Sequence, residues 1–196
     1  MSKIEQYSKE VQAFIKSSQE ETQNVHNLAA DLREKIDTGM VGAVAAQEQL
    51  ESYKQGVRNN LSAGAEYLKE AGQKAIAAEL ESLESGYKGV TADDVAELSL
   101  LSQMDIDRND LDKYIDKYKD VPLALRRLKE ISKEKSFAKV FPATREEQLK
   151  AMNETMENSI SRFSHIQTDE LPTKTNMVAE GNIKRIGYEL EVYKSL

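Results

Sequence analysis

The chain predicts an all-α protein in which long antiparallel helical arms, bundle- or coiled-coil-like, carry a small inserted three-helix module. Three observations point there. Apolar residues recur at three- and four-residue spacing along most of the 196 residues, which is the period of one helix face. Charged residues make up 31% and aromatics 6%, with three prolines and nine glycines, a balance that favours helix over sheet. The hydrophobic fraction of 39% is low for a compact globule and suits chains that bury narrow stripes.

The first arm is predicted from Lys3 to Asp37. Ile4, Tyr7, Val11, Phe14, Val25, Leu28 and Leu32 follow an a/d seam, which should falter at Ser18 and Glu21. Thr38-Gly39-Met40-Val41-Gly42 is the stop, because glycine readily takes the left-handed conformation that ends helices. A second arm follows from Ala43 to Ser85, with Val44, Leu50, Tyr53, Val57, Leu61, Leu68, Ala75, Leu80 and Leu83 as its apolar face. Gly56, Gly64 and Gly72 recur within it. They are read as kinks, or a break near Asn59-Asn60, with close helix contact as the alternative.

Ser85 to Gly89 opens the central module. Thr91 and Asp94 form a capping box, and Val95, Leu98 and Leu101 supply that helix's face. Asp107 caps the next helix, faced by Leu111, Tyr114, Ile115 and Tyr118. Asp120 precedes Val121-Pro122, and proline in a first turn forgoes an N–H that has no helical partner. Val121, Leu125, Leu128 and Ile131 make the third stripe. Three short helices with brief connections should pack as a small orthogonal bundle.

The chain leaves through Phe137 to Phe141 and restarts at Pro142. Thr144 and Glu147 form another capping box before a helix carrying Leu149, Met152, Met156, Ile160 and Phe163. A polar connector from Thr168 to Thr175 leads to a last helix faced by Ile183, Ile186, Leu190 and Tyr193. The expected domains are therefore N-terminal arms at 1–88, the module at 89–140, and C-terminal helices at 141–196 packing back on the arms.

With no cysteine, a disulfide framework, a thiolate metal site and a cysteine nucleophile are excluded. No apolar run approaches the roughly 20 residues of a membrane span, and the N-terminus has no signal-type apolar region. The expected setting is cytoplasmic, with no membrane partner, so the sequons at Asn60 and Asn153 carry no glycan. A net charge of −7 argues against general binding to nucleic acid.

Four chemical signals stand out. Asp105, Asp107 and Asn109 copy the start of a calcium loop, but Asp110 and Asp116 replace the required glycine and glutamate. The acids therefore read as helix caps, and no metal or cofactor is expected. Residues 92 to 118 resemble a helix-turn-helix in outline, yet Asp107, Asp110 and Asp112 would face phosphate, with only Arg108 and Asn109 in favour. Arg126, Lys129 and Lys133 share one helix face, with Arg127, Lys135 and Lys139 nearby. The stripe of Arg126, Arg127, Lys129 and Lys133 is the candidate interaction site, with a solvated face partly neutralised by Glu130 and Glu134 as the plainer reading. His26 and His165 stand alone and read as helix-surface residues. No catalytic constellation is found, so the chain is expected not to be an enzyme.

The stretch Asp112-Lys-Tyr-Ile-Asp-Lys-Tyr-Lys-Asp-Val-Pro-Leu-Ala-Leu-Arg-Arg-Leu-Lys-Glu-Ile131, behind a charged helical arm, resembles helical proteins of tailed phages and prophages of Gram-positive bacteria. That resemblance implies a structural or head-morphogenesis role, with capsid or other virion proteins as partners, or a homo-oligomer. Scaffolding proteins, a wider class of this kind, often carry a basic C-terminal segment. Here Lys184 and Arg185 are offset by Glu189 and Glu191, and the basic stripe is internal. The expected function is a non-enzymatic assembly protein acting through helix–helix contacts. The alternatives are a nucleic-acid-binding regulator using residues 126–139, or a small helical inhibitor of a host protein.

Overall fold

The computed structural model describes residues 2–86, 89–119, 121–137, 141, 143–165 and 172–195. Within them are seven helices and no strand: α1 (Lys3–Asp37), α2 (Ala43–Gly86), α3 (Ala92–Gln103), α4 (Arg108–Lys117), α5 (Pro122–Glu134), α6 (Arg145–Phe163) and α7 (Pro172–Ser195). The class is all-α. Two compact units divide the chain, one of Met1–Glu79 with Gln148–Leu196, the other of Leu80–Glu147. Asp120, Lys139, Pro142, and residues 87, 88 and 168–171 of the expected connections lie outside the described residues.

In the first unit, α1 begins at a reciprocal cap. Ser2 Oγ accepts from the Glu5 N–H at 3.2 Å, and the Glu5 carboxylate accepts from the Ser2 N–H at 2.9 Å. It ends at Gly39, where φ is +73°. There the Met40 N–H donates to the Lys35 carbonyl at 2.9 Å and the Gly39 N–H to the Ile36 carbonyl at 3.0 Å. That double bond set is a Schellman stop, and it needs the left-handed residue glycine provides.

Side chains that pair across helices fix directions. Glu5 pairs with Lys194 at 2.8 Å, and the Gln19 amide donates to Asn176 at 2.9 Å, so α7 runs antiparallel to α1. Gly72 lies against Tyr7 and Gly64 against Phe14, while the Tyr53 hydroxyl donates to Glu21 at 3.1 Å; α2 is thus also antiparallel to α1. Thr155 donates to Glu189 and Ser159 to Asn182, each at 3.0 Å, which sets α6 antiparallel to α7.

Five sequence expectations change here. The α1 seam does not falter at Ser18, which is buried: its hydroxyl donates to the Phe163 carbonyl at 2.8 Å. A polar side chain can sit in a core when a neighbouring helix end accepts its proton. Phe14 and Leu28 are only half-buried, and Ile15 takes the central place beside Phe14. α2 continues without interruption from Ala43 to Gly86, so its glycines mark no break. Gly64 and Gly72 are contact glycines instead, because a Cβ on Gly72 would lie 2.6 Å from Tyr7 Cζ, and one on Gly64 3.1 Å from Phe14 Cε2. Gly56 faces open space. Val44 and Tyr53, placed on the apolar face, are exposed. Finally, α7 starts at Pro172, so Pro172 to Thr175 are helical rather than connector; proline is well suited to a first helical position.

The second unit is built on α5. Leu98 and Leu101 of α3, Leu111 and Ile115 of α4, and Leu125, Leu128 and Ile131 of α5 share one core with Ile106, Tyr118 and Val121. The three caps stand as expected. Thr91 accepts from the Asp94 N–H at 3.2 Å and Asp94 from the Thr91 N–H at 2.9 Å. Asp107 accepts from the Asp110 N–H at 2.8 Å, and Thr144 with Glu147 repeats the reciprocal pattern. Tyr118 binds the first turn of α3, donating to Asp94 at 3.0 Å and also contacting Glu97, which pairs with Lys117. Val95, expected on the core face of α3, is 57% exposed. Tyr114 is half-buried.

Candidate interaction surface

The basic stripe of α5 does not survive as a continuous cationic face. Arg127 Nη1 donates to Glu130 at 2.9 Å and to Glu134 at 3.2 Å. Those two carboxylates hold the guanidinium charged even more firmly than usual, Glu130 foremost. Lys129 Nζ donates to Glu147 at 2.8 Å. That lysine, helped by the Thr144 N–H, keeps the Glu147 carboxyl below its ordinary range. Glu147 is therefore a cap and an ion-pair partner at once, tying the start of α6 to α5 within the second unit. Lys135 donates to the Met104 carbonyl at 2.8 Å. Only Arg126 and Lys133, of the four stripe residues, are exposed with no ion pair among the described residues. Two isolated charges on an acidic chain are a poor phosphate track, since affinity grows with each phosphate neutralised.

The other candidates also resolve. Asp107 caps its own helix start, and Asp110 pairs with Lys113 at 3.1 Å. Among the described residues no group of three or more His, Asp or Glu side chains is placed to hold a metal ion. His165 is exposed beside Ser164, as expected of a surface histidine, whereas His26 is half-buried with Nε2 enclosed.

A different feature of the second unit is better formed. Between the starts of α3 and α5 lies an open groove of about 430 Å3, lined by Val90, Val95, Leu98, Leu123 and Ala124, with Ser99, and with Arg127 as its one charged wall residue. Val95 and Leu123 stand 57% and 63% exposed on it. The fold creates this groove because Leu98 and Ala124 turn toward the shared core while the residues beside them do not. Sequence reading assigned Val95 to the core because it falls at helical spacing with Leu98. Leu123, the residue that would have revealed the groove, sits one position off the core stripe of α5.

The chain matches no protein-family model, no curated protein and no solved structure. No helix among the described residues is long and apolar enough to cross a membrane.

Proposed function

We propose that this is a non-enzymatic structural or assembly protein of a tailed phage or prophage, working through helix–helix contacts with virion proteins or with further copies of itself. The observation that carries the reading is the apolar groove of the second unit. Its polar atoms do not converge as a reaction site requires, while its exposed Val95 and Leu123 suit a surface that buries a partner side chain. The phage setting rests on the resemblance of Asp112–Ile131 to helical virion-region proteins. Support for an alternative nucleic-acid role weakens with the pairing of Arg127 and Lys129.

The test is light scattering at micromolar concentration together with capture by purified virion proteins of the phage or prophage whose genome carries the gene. Association with itself or with a capsid-region protein is expected. A strict monomer that captures no virion protein would remove the proposal.

A further inference from the structure

In the first unit, α7 turns a helix face with large apolar residues toward solvent. The helix buries Ala179, Ile186 and Leu190. At about 100° per residue, Met177, Gly181, Lys184 and Tyr188 fall on the opposite side. All four are exposed, Met177 at 77% and Tyr188 at 71%. Their alternating four- and three-residue steps are those of a second helix-packing seam. Gly181 has no packing role within its own chain, because a Cβ there would meet nothing within 4 Å, although glycine weakens a helix interior. Glu180 and Lys184 are exposed and make no ion pair among the described residues. Other charges of this face are engaged within the chain: Arg185 pairs with Glu189 at 2.9 Å, and Glu191 with Lys194 at 3.3 Å.

We infer that this face of α7 binds the same face of a second copy, the two helices antiparallel about a two-fold axis midway between Gly181 and Lys184. The surface is separate from the groove of the second unit. Its sequence selects the occupant, because the face complements itself when read backwards. With Gly181 of one copy level with Lys184 of the other, Met177 falls level with Tyr188, Glu180 with Arg185 and Lys174 with Glu191. No charge then lies level with its like. In a parallel pair every charge, Lys184 in the seam included, would lie level with its own counterpart. The apolar pair forms twice, and unbranched methionine adapts its shape to the facing ring. Gly181 leaves space for the aliphatic stem of the second copy's Lys184, whose charged head can stay at the edge of the seam. A two-fold axis across an antiparallel pair keeps matching flanks together, so that head lies beside Glu180. Glu180 and Lys184 of the two copies thus close a ring of four alternating charges, which fixes orientation more than affinity.

Such a contact is isologous, the same patch serving on both chains, so it stops at two copies. Sedimentation velocity of the full chain, from low to high micromolar concentration, should show a mass that rises to a dimer and no further. Glu180→Lys and Lys184→Glu alter exposed side chains, so each variant should keep its helical circular dichroism. Each alone should dimerise roughly tenfold more weakly, because the two-fold axis doubles every like-charge contact. Mixed, the two variants set lysines against glutamates and should associate about as tightly as the wild type. The chain has no cysteine, so cross-linking can read the orientation. Met177→Cys mixed with Tyr188→Cys should oxidise to a disulfide-linked pair, while neither should link alone. A wild-type chain that stays monomeric, single reversals that dimerise as the wild type does, a mixture no tighter than its components, or mixed cysteine variants that link no faster than either alone would each overturn the inference. A wild-type monomer that still captures a virion protein would sink it while leaving the proposed function standing.

Discussion

Tyr7 shows how one side chain can set conditions for several others. Its ring lies on Gly72, 2% exposed, and its hydroxyl is buried with no hydrogen-bond partner among the described residues. Gly72→Ala would push a methyl group into that ring and should destabilise the fold by about 1–3 kcal/mol, as overpacked cores do. Gly56→Ala, in open space on the same helix, should instead stabilise by up to about 1 kcal/mol. Urea melts of the two variants test the contrast, and equal shifts would refute it. Burial, with the nearby Glu157 carboxylate second, pushes the Tyr7 phenol from 10.0 up to about 12. The folded state thus holds this proton more tightly than the unfolded chain does. Stability linked to Tyr7 is whole below pH 10.0 and is lost as pH rises toward about 12. Tyr7→Phe should flatten that alkaline loss in urea midpoints measured across the window, and an unchanged slope would count against it.

At the scale of elements, what can be read from sequence depends on how local the physics is. Thr91, Asp107 and Thr144 are legible as caps because a cap needs only three or four consecutive residues. The ion pair of Lys129 with Glu147 spans 18 residues, and no periodicity announces it, so the basic stripe looks more cationic in sequence than it is in the fold. Ser18 misleads for the same reason: its acceptor, the Phe163 carbonyl, is 145 residues away. The contact role of Gly64 and Gly72 needs the partner helix in view, whereas a kink can be guessed from the glycine alone. Two variants test these elements. Thr91→Ala removes the α3 cap and should cost about 1 kcal/mol, read as a lowered urea midpoint; no change would mean the box is ornamental. Ser18→Ala strands a helix-end carbonyl in the core and should cost about 1–3 kcal/mol, whereas a gain would show that the bond contributes nothing. Asp94 and Glu97 lie below their ordinary range, Asp94 through Thr91 first and Glu97 through Lys117 first. What stability they confer is present above their unfolded values and disappears as pH falls through the folded ones.

For the molecule as a whole, the apolar residues are grouped into separately enclosed sets. The core around Leu111, Leu128 and Ile131 takes its buried residues from Leu98 to Ile131, with Val90, Phe137 and Phe141 packed against it, and all of these lie inside the Leu80–Glu147 unit. A fragment of residues 80–147 should therefore fold by itself, with a cooperative thermal transition and dispersed amide resonances. A fragment of this length is near the lower limit for a core without disulfides or metals, so a modest melting temperature is expected. A featureless spectrum would show that the unit depends on the remainder of the chain.

The two glycine notches of α2 also amount to a signature. Tyr7 and Phe14 are seven residues apart on α1, and the glycines they rest on, Gly72 and Gly64, are eight apart on α2 in the opposite order. Sliding the helices by one turn would set the Tyr7 ring against Leu68 or Ile76, where a side chain already stands. The pairs therefore act as teeth that admit one alignment of the two helices. Such teeth should drift together over evolutionary time, a ring shrinking only where its notch fills. Distant kin of this chain could then be sought by an aromatic pair followed by a glycine pair at reversed spacing, even after the surface helices have diverged beyond recognition.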